Sequence, residues 1–156
     1  MRISLVLVLV MLLMLSSTAS AECACKKAHS SDTTLYGGNE VIEMRGEHPY
    51  RSVRGKVTFG DSTGDSVEHA LVELFSSDRK PTDEHSFDEE SKRTRIRACW
   101  TQKDGRFCFG KLRPGFYEIR ASYNRGMNVT YTFIEVTKQK SANSDEPLEI
   151  ELRPGT

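Results

Sequence analysis

After its first fifteen residues the sequence has no long hydrophobic run. The apolar stretch from Ile3 to Leu15 is shorter than the ~20 residues that cross a bilayer as a helix, and no later segment is apolar enough to do so. A short apolar run after Arg2, followed by small residues at Ala19 and Ala21, is typical of an export signal. We therefore predict that residues 1–21 are a cleaved signal peptide, that the mature chain has no transmembrane span, and that the protein is secreted or periplasmic.

A lipid anchor on Cys23 or Cys25 is the alternative to a freely exported chain. A lipoprotein signal needs a small residue directly before the modified cysteine, but Glu22 precedes Cys23. Cleavage after Ala21 is therefore the favoured interpretation.

An excess of either charge is also missing. The chain has 22 Lys and Arg against 22 Asp and Glu, and removal of Arg2 with the signal peptide leaves the mature chain near one net negative charge. Proteins that bind mainly nucleic acid or an anionic membrane are clearly basic. We therefore expect no nucleic-acid partner.

No catalytic constellation is visible either. None of the histidines lies near a serine or cysteine elbow motif of the kind that nucleophilic enzymes use. We expect no enzymatic activity and no cofactor. The four are His29, His48, His69 and His85.

The stretch Asp104–Arg120 is the most informative part of the chain. Asp104–Gly105 and Pro114–Gly115 are turn signals, because glycine tolerates positive φ and proline presets a reversal. Between and after them, large apolar residues alternate with polar ones, which indicates strands with one buried face. The predicted inward residues are Phe107, Phe109, Tyr117, Ile119 and Ala121.

The same pattern recurs along most of the chain and predicts an all-β protein. Seven short strands separated by turn residues are typical of an antiparallel Greek-key sandwich. A polar stretch at 76–92 interrupts them, and residues 22–50 read as a polar N-terminal arm in which only Val41–Met44 could pair, so the domain is predicted over 51–156. The predicted strands lie near 53–59, 67–75, 94–101, 106–109, 116–123, 128–136 and 148–152.

These motifs resemble a known family. The order Val53-x-Gly55-x-Val57, Asp104-Gly105-x-Phe107-x-Phe109 and Leu112-x-Pro114-Gly115-x-Tyr117 is similar to that of the carboxypeptidase regulatory-like domain. That family belongs to the transthyretin-like (prealbumin-like) sandwiches, which also resemble Cna-B repeats. The resemblance implies a non-catalytic exported module, sometimes grouped with carbohydrate-binding sandwiches, and it fixes no ligand. A transthyretin-like hydrolase of oxidised urate ends in Tyr-Arg-Gly-Ser, which is absent here.

Two cysteines are predicted to face each other across a hairpin. A four-residue loop, 102–105, would place Trp100 opposite Phe107 on the buried face and Cys99 opposite Cys108 on the other face. Directly opposed Cβ atoms lie ~4.5–5.5 Å apart, close to the distance that a disulfide requires. We therefore predict a Cys99–Cys108 disulfide, with pairings of both residues to Cys23 and Cys25 as the rival arrangements.

The arm cysteines have a second possible role. If the hairpin bridge forms, Cys23 and Cys25 are left for an intermolecular bond, a strained ring or a metal. With His29 they offer ligands that suit Cu(I) or zinc, although arm cysteines in disulfides are the simpler interpretation because no second ligand pair at zinc-finger spacing follows.

Arginines at alternate positions form the remaining pattern. Arg93, Arg95 and Arg97, together with Arg106, could make a basic stripe for an anionic ligand. Charges that discourage edge-to-edge aggregation of strands explain them more simply.

These observations favour an exported, non-enzymatic module that acts by surface binding. Its expected partner is a carbohydrate or an envelope or extracellular protein. The alternatives are a metal-handling secreted protein that uses the Cys-x-Cys arm, and a structural assembly subunit.

Overall fold

The computed structural model describes residues 25–32, 40–50, 52–60, 63–78, 93–124, 128–138 and 146–154, and for 40–50 it describes the course of the strand alone. The predicted signal peptide, Cys23 and most of the polar stretch 76–92 lie outside these residues. Within the described ranges there is no helix that is long and apolar enough to cross a membrane.

The described residues form strands and no helices. Two of the strands, β1 and β2, precede the segment in which strands were predicted to begin. The nine described strands are β1 (Lys26–Lys27), β2 (Glu40–Tyr50), β3 (Ser52–Phe59), β4 (Leu71–Ser77), β5 (Thr94–Trp100), β6 (Arg106–Lys111), β7 (Gly115–Ser122), β8 (Val129–Val136) and β9 (Leu148–Leu152).

The strands form two sheets, which confirms the predicted all-β sandwich. One sheet has six strands in the order β1-β5-β4-β7-β8-β2, and the other has three in the order β6-β3-β9. The sheets are not purely antiparallel as predicted, since β2 runs parallel to β8 and β3 runs parallel to β9. Each parallel pair joins strands from distant parts of the sequence, a relationship that local alternation does not reveal.

The core lies between the two sheets and follows the predicted alternation closely. From the six-stranded sheet, Val72, Leu74 and Ile119 are fully buried, and from the three-stranded sheet Val57 and Ile150 are fully buried. Phe107 and Phe109 also belong to this core, with ring centroids 5.7 Å apart. Strands β4, β6, β7 and β9 contribute alternate side chains to it, as expected for sheets with one face on a shared core.

The sheet extends into the segment that was assigned to the polar arm. Strand β2 pairs with β8 from Glu40↔Val129 to Tyr50↔Val136, with a register shift between Met44 and Pro49. Further upstream, β1 pairs with β5. The stretch 40–50 lacks sustained alternation in the sequence, so its full extent as a strand is not evident from periodicity.

The predicted hairpin between β5 and β6 is wrong. Strand β5 pairs with β4 and β1 in the larger sheet, whereas β6 pairs with β3 in the smaller one. The chain therefore crosses between layers over 101–105. The crossing reverses the predicted facing of β5: Cys99 is in the core at 2% exposure, Trp100 is half-buried, and Ile96 is exposed.

The outer face of the six-stranded sheet carries a charged network. Glu73 and Glu118 are both buried there. Glu118 forms salt bridges with Arg93, at 2.8 Å, and with Arg120, whose guanidinium lies 4.2 Å from the centre of the Phe75 ring. Burial of these carboxylates is tolerated because each one has a cationic partner.

Candidate functional site

A cleft of about 850 Å³ lies at the edge of the sandwich, where the arm meets both sheets. Its lining comes from the 25–30 segment, from 95–99 of β5 and from 108–109 of β6. Because β5 and β6 belong to different sheets, the cleft exists only in the folded sandwich with the arm docked.

Backbone hydrogen bonds and one side chain dock the arm. Strand β1 pairs antiparallel with β5 through Lys26↔Trp100 and Lys27↔Cys99, and the Ala28 main-chain N–H donates to the Ala98 carbonyl over 3.1 Å. The Trp100 indole N–H donates to the Asp32 carboxylate over 3.3 Å. The arm thereby covers part of the β5 edge, which would otherwise present unpaired backbone groups.

The cleft is electropositive. Lys27, His29, Arg95 and Arg97 are among its lining residues, and the residues of the described ranges that line it include no Asp or Glu. Lys27, His29 and Arg97 are exposed to solvent. A low-dielectric concavity lined by one sign of charge attracts ligands of the opposite sign.

Two of these arginines also hold the cleft together. Arg95 pairs with Glu73 at 3.1 Å and donates to the carbonyls of Ser30 and His29, at 3.2 and 3.4 Å. Arg97 donates to the carbonyl of Phe109, which lies in the opposite sheet. The predicted basic stripe is therefore divided: Arg93 and Arg95 engage buried carboxylates, and Arg106 pairs with Asp104 at 3.2 Å.

Three cysteines line the same cleft. In its protonated form the Cys25 thiol donates a hydrogen bond to the Cys108 carbonyl over 3.0 Å, and the Cys25 and Cys99 side chains are hydrogen-bonded to each other, with Cys99 as the donor when Cys25 is ionised. Cys25 and Cys99 are free thiols, whereas Cys108 is in a disulfide whose partner lies outside the described residues.

The predicted Cys99–Cys108 disulfide is not the one in the structure. Its premise was that the two residues oppose each other in a hairpin, and β5 and β6 do not pair. Cys99 instead points into the core and meets Cys25 from the arm. Cys25 of the arm thus lies beside both sheet cysteines.

The two thiols have opposite pKa shifts. The hydrogen bond from Cys99 is the main reason that the pKa of Cys25 falls from 9.0 to about 6, with burial opposing the change. The pKa of Cys99 is raised, first by the same hydrogen bond, then by its burial and by the nearby charge of Cys25. One proton is shared by the pair, and Cys25 carries the negative charge at neutral pH.

The predicted metal ligands do not form a group within the described part of the chain. No cluster of three or more His, Cys, Asp and Glu residues suited to a metal occurs there. His29 is an exposed residue of the cleft whose main-chain N–H donates to Asp32 over 2.8 Å. Cys23, the third proposed ligand, lies outside the described residues.

Sequence reasoning missed the structural roles of two residues that shape this region. Arg97 bridges the sheets, and Thr101 anchors the crossing between them through hydrogen bonds to Ala70 and Val67. Both roles depend on the chain changing layers after β5, and no local pattern in the sequence marks that change.

Comparisons with known proteins give a likeness of fold alone. No protein-family model and no curated protein sequence matches the chain. Among solved structures, the chain is similar to the pilus 2b backbone protein of group B streptococcus, with 16% identity over 69% of this chain and 42% of that one and a TM-score of 0.47. It thus spans less than half of that protein.

Two dioxygenase structures show a weaker likeness. One is hydroxyquinol 1,2-dioxygenase from Pseudomonas putida DLL-E4, at 13% identity over 94% of this chain and 71% of that one, with a TM-score of 0.39. The other is catechol 1,2-dioxygenase from Pseudomonas arvilla C-1, at 14% identity over 94% and 68%, also with a TM-score of 0.39.

Proposed function

We propose that the protein is an exported, non-enzymatic β-sandwich module that acts by surface binding. Its partner is an envelope or extracellular protein, or a carbohydrate, that presents an anionic group to the cleft between the arm and strands β5 and β6. We also propose that the sandwich belongs to the carboxypeptidase regulatory-like family. The proposal is supported by the Asp-Gly-x-Phe-x-Phe and Leu-x-Pro-Gly-x-Tyr motifs, which lie in and next to β6, a strand that lines the cleft.

The observation that supports this proposal is the charge of the cleft lining. Lys27 and Arg97 are exposed cations in a concavity whose lining, among the residues that the structure describes, includes no carboxylate. Arg97 is fixed by its bond to the Phe109 carbonyl, so it is held at the cleft before a ligand arrives, and such preorganisation lowers the cost of binding.

Lys27 supplies the test with the least structural risk. Its side chain is exposed, and β1 is held through backbone pairing, so Lys27→Glu changes the charge of the cleft and spares its framework. Lys103→Glu is the matched control, because Lys103 is also exposed but lies in the turn between β5 and β6, outside the cleft lining.

The exported protein is screened on an array of neutral and acidic glycans, and separately by pull-down from envelope or culture extract. We expect binding to an acidic glycan or an acidic protein that weakens with added salt. Lys27→Glu should lower the affinity about fivefold, equivalent to roughly 1 kcal/mol, and Lys103→Glu should leave it unchanged. A ligand that binds both variants equally would place recognition outside the cleft, and the proposal would fail.

A further inference from the structure

We propose that Cys25 and Cys99 form a second disulfide, which fastens the arm to the sandwich edge beside the existing Cys108 disulfide. This inference concerns the covalent state of the protein and is independent of the ligand proposed for the cleft. It follows from the placement of the two thiols, the access of one of them to solvent, and the chemistry of the pair.

The register places the two residues on one face of the β1–β5 pair. Lys27 pairs with Cys99, so Cys25, two residues earlier, is the diagonal neighbour of Cys99 on the same side. Diagonal positions are normally spanned only by long side chains, but here the two cysteine side chains already meet, because they are hydrogen-bonded to each other. A disulfide requires Cβ atoms about 3.5–4.5 Å apart, and β1, with two exposed residues, is the short element whose movement would bring Cys25 to that distance.

The arm cysteine is held from the other side as well. Its thiol reaches the Cys108 carbonyl in the opposite sheet, and Cys25 packs against the main core. Cys25 therefore lies between the two sheets at their shared edge. A bond to Cys99 would fix it there.

The exposure and ionisation of Cys25 and Cys99 favour oxidation of the pair by an external disulfide. Cys99 is in the core at 2% exposure, whereas Cys25 is half-buried and lines the open cleft. An oxidant that enters the cleft meets Cys25 first. With its pKa at about 6, this thiol is ionised at neutral pH, and the thiolate is the nucleophile in exchange.

The reaction takes two steps with a small or protein disulfide as oxidant. The Cys25 thiolate attacks one sulfur of the oxidant, forms a mixed disulfide and releases the other half as a thiolate. Cys99 then attacks the Cys25 sulfur, its proton passes to the second leaving thiolate, and the Cys25–Cys99 bond forms. Two protein thiols are oxidised and one disulfide is reduced to two thiols.

Formation of the mixed disulfide at Cys25 favours the attack by Cys99 that follows. The hydrogen bond to Cys25 and the negative charge of Cys25 both raise the pKa of Cys99, and both are lost once Cys25 is a neutral mixed disulfide. Cys99 then ionises more readily and becomes the resolving thiol.

Peptide mapping of the exported protein without reductant tests the proposal. Trypsin should release Cys99 in the peptide 98–103 and Cys108 in 107–111, while Cys23 and Cys25 share one peptide that ends at Lys26. We expect a three-peptide species with no alkylatable thiol after denaturation. Electron-transfer fragmentation between Cys23 and Cys25 assigns Cys25 to the 98–103 peptide.

Two variants that each replace one cysteine distinguish a Cys25–Cys99 disulfide from the other possible cysteine pairings. Cys25→Ser should leave one alkylatable thiol, at Cys99, with Cys108 still bonded. Cys23→Ser should leave one thiol, at Cys108, with Cys25 still joined to Cys99. A disulfide between peptides 98–103 and 107–111 in the unsubstituted protein would overturn the proposal, as would two thiols that remain alkylatable after incubation with oxidised glutathione.

Metal content completes the test. If the purified protein carries zinc or copper in stoichiometric amount and both Cys25 and Cys99 are reduced in that state, the pair is a ligand set and the proposed disulfide is wrong. Absence of metal together with the 25–99 linkage is the expected result.

Discussion

The side-chain hydroxyl of Thr101 accepts a hydrogen bond from the main-chain N–H of Ala70 over 2.8 Å. The same hydroxyl donates to the Val67 carbonyl over 2.6 Å, and the Thr101 and Ala70 main chains form a further bond of 2.9 Å. Thr101 directly follows β5, where the chain leaves the larger sheet for the smaller one. One buried side chain thus joins the start of the crossing to the segment that precedes β4.

We expect Thr101→Val to destabilise the protein by about 3 kcal/mol. The substitution keeps the volume but leaves the Ala70 N–H and the Val67 carbonyl without this partner, and a buried polar group left unsatisfied costs roughly 1–3 kcal/mol. Urea unfolding followed by Trp100 fluorescence measures the loss. Thr101→Ser retains the hydroxyl and should lose less than half as much; equal losses would show that packing of the methyl group, rather than hydrogen bonding, is the main role of Thr101.

Two glycines with similar backbone conformations should differ in their tolerance of alanine. Gly105 has φ +74°, and a Cβ there would lie 2.5 Å from the Val57 carbonyl oxygen, whereas Gly64 has φ +59° and nothing within 4 Å. Both substitutions incur the left-handed penalty of roughly 1–2 kcal/mol. Gly105→Ala should cost about 2 kcal/mol more, because overpacking adds to that strain.

The difference between the free energies of unfolding of Gly105→Ala and Gly64→Ala measures the cost of the contact with Val57, because both variants share the cost of the left-handed backbone. The Gly105 carbonyl also accepts a bond of 2.9 Å from the Val57 main-chain nitrogen, which restricts relaxation of the turn. Similar losses in the two variants would indicate that the turn moves away from β3 at little cost.

The buried carboxylate of Glu118 should be far more important for stability than an exposed one. Glu118 is fully buried and pairs with Arg93 and Arg120. Glu118→Gln keeps the shape but removes the charge opposite two cations, and breaking a buried pair costs roughly 3–5 kcal/mol. Thermal or urea unfolding provides the measurement.

Glu151→Gln is the matched control. Glu151 pairs with Arg153 at 2.9 Å, but its side chain is 40% exposed and that of Arg153 is 55% exposed. Surface pairs of this kind contribute about 0–1 kcal/mol. A loss in Glu118→Gln no larger than in this control would mean that the outer-face network contributes little to stability.

Much of the sandwich could be predicted from the sequence because its core follows strict alternation. Val72 and Leu74 on β4, Phe107 on β6 and Ile150 on β9 are buried as expected. Alternation identifies the strands and their inward faces where one face is apolar and the other polar.

The prediction was wrong where that premise does not apply. On β5 the sequence Arg-Ala-Cys-Trp has apolar residues at adjacent positions, so the pattern does not show whether Cys99 or Trp100 faces the core. The register count also assumed that consecutive strands pair, whereas a sandwich sends the chain between sheets at several connections. The same error led to the predicted Cys99–Cys108 bond, since the meeting of Cys25 with Cys99 depends on a two-residue strand too short to be read from periodicity.

Ionisation of Cys25 should make the stability of the protein depend on pH when Cys25 and Cys99 are reduced. The pKa of Cys25 is about 6 in the folded chain against 9.0 for an ordinary thiol, so between these values the unfolded chain binds the additional proton. The free energy of unfolding should therefore rise with pH from about 6 to 9 and fall away as pH drops through 6. Above pH 9 it should decline, because folded Cys99 retains a proton that the unfolded chain loses.

Alkylation kinetics of Cys25 provide the site-specific measurement. In Cys99→Ser and Cys99→Ala the 25–99 bond cannot form, so Cys25 stays a thiol in both. In Cys99→Ser the serine hydroxyl can still donate to the Cys25 thiolate. The rate at which Cys25 reacts with iodoacetamide should therefore reach half its maximum below pH 7. Alanine removes the largest cause of the lowered pKa, and the half-maximum should move upward by about one pH unit or more. Superimposable profiles would show that the Cys99 hydrogen bond does not set the ionisation of Cys25.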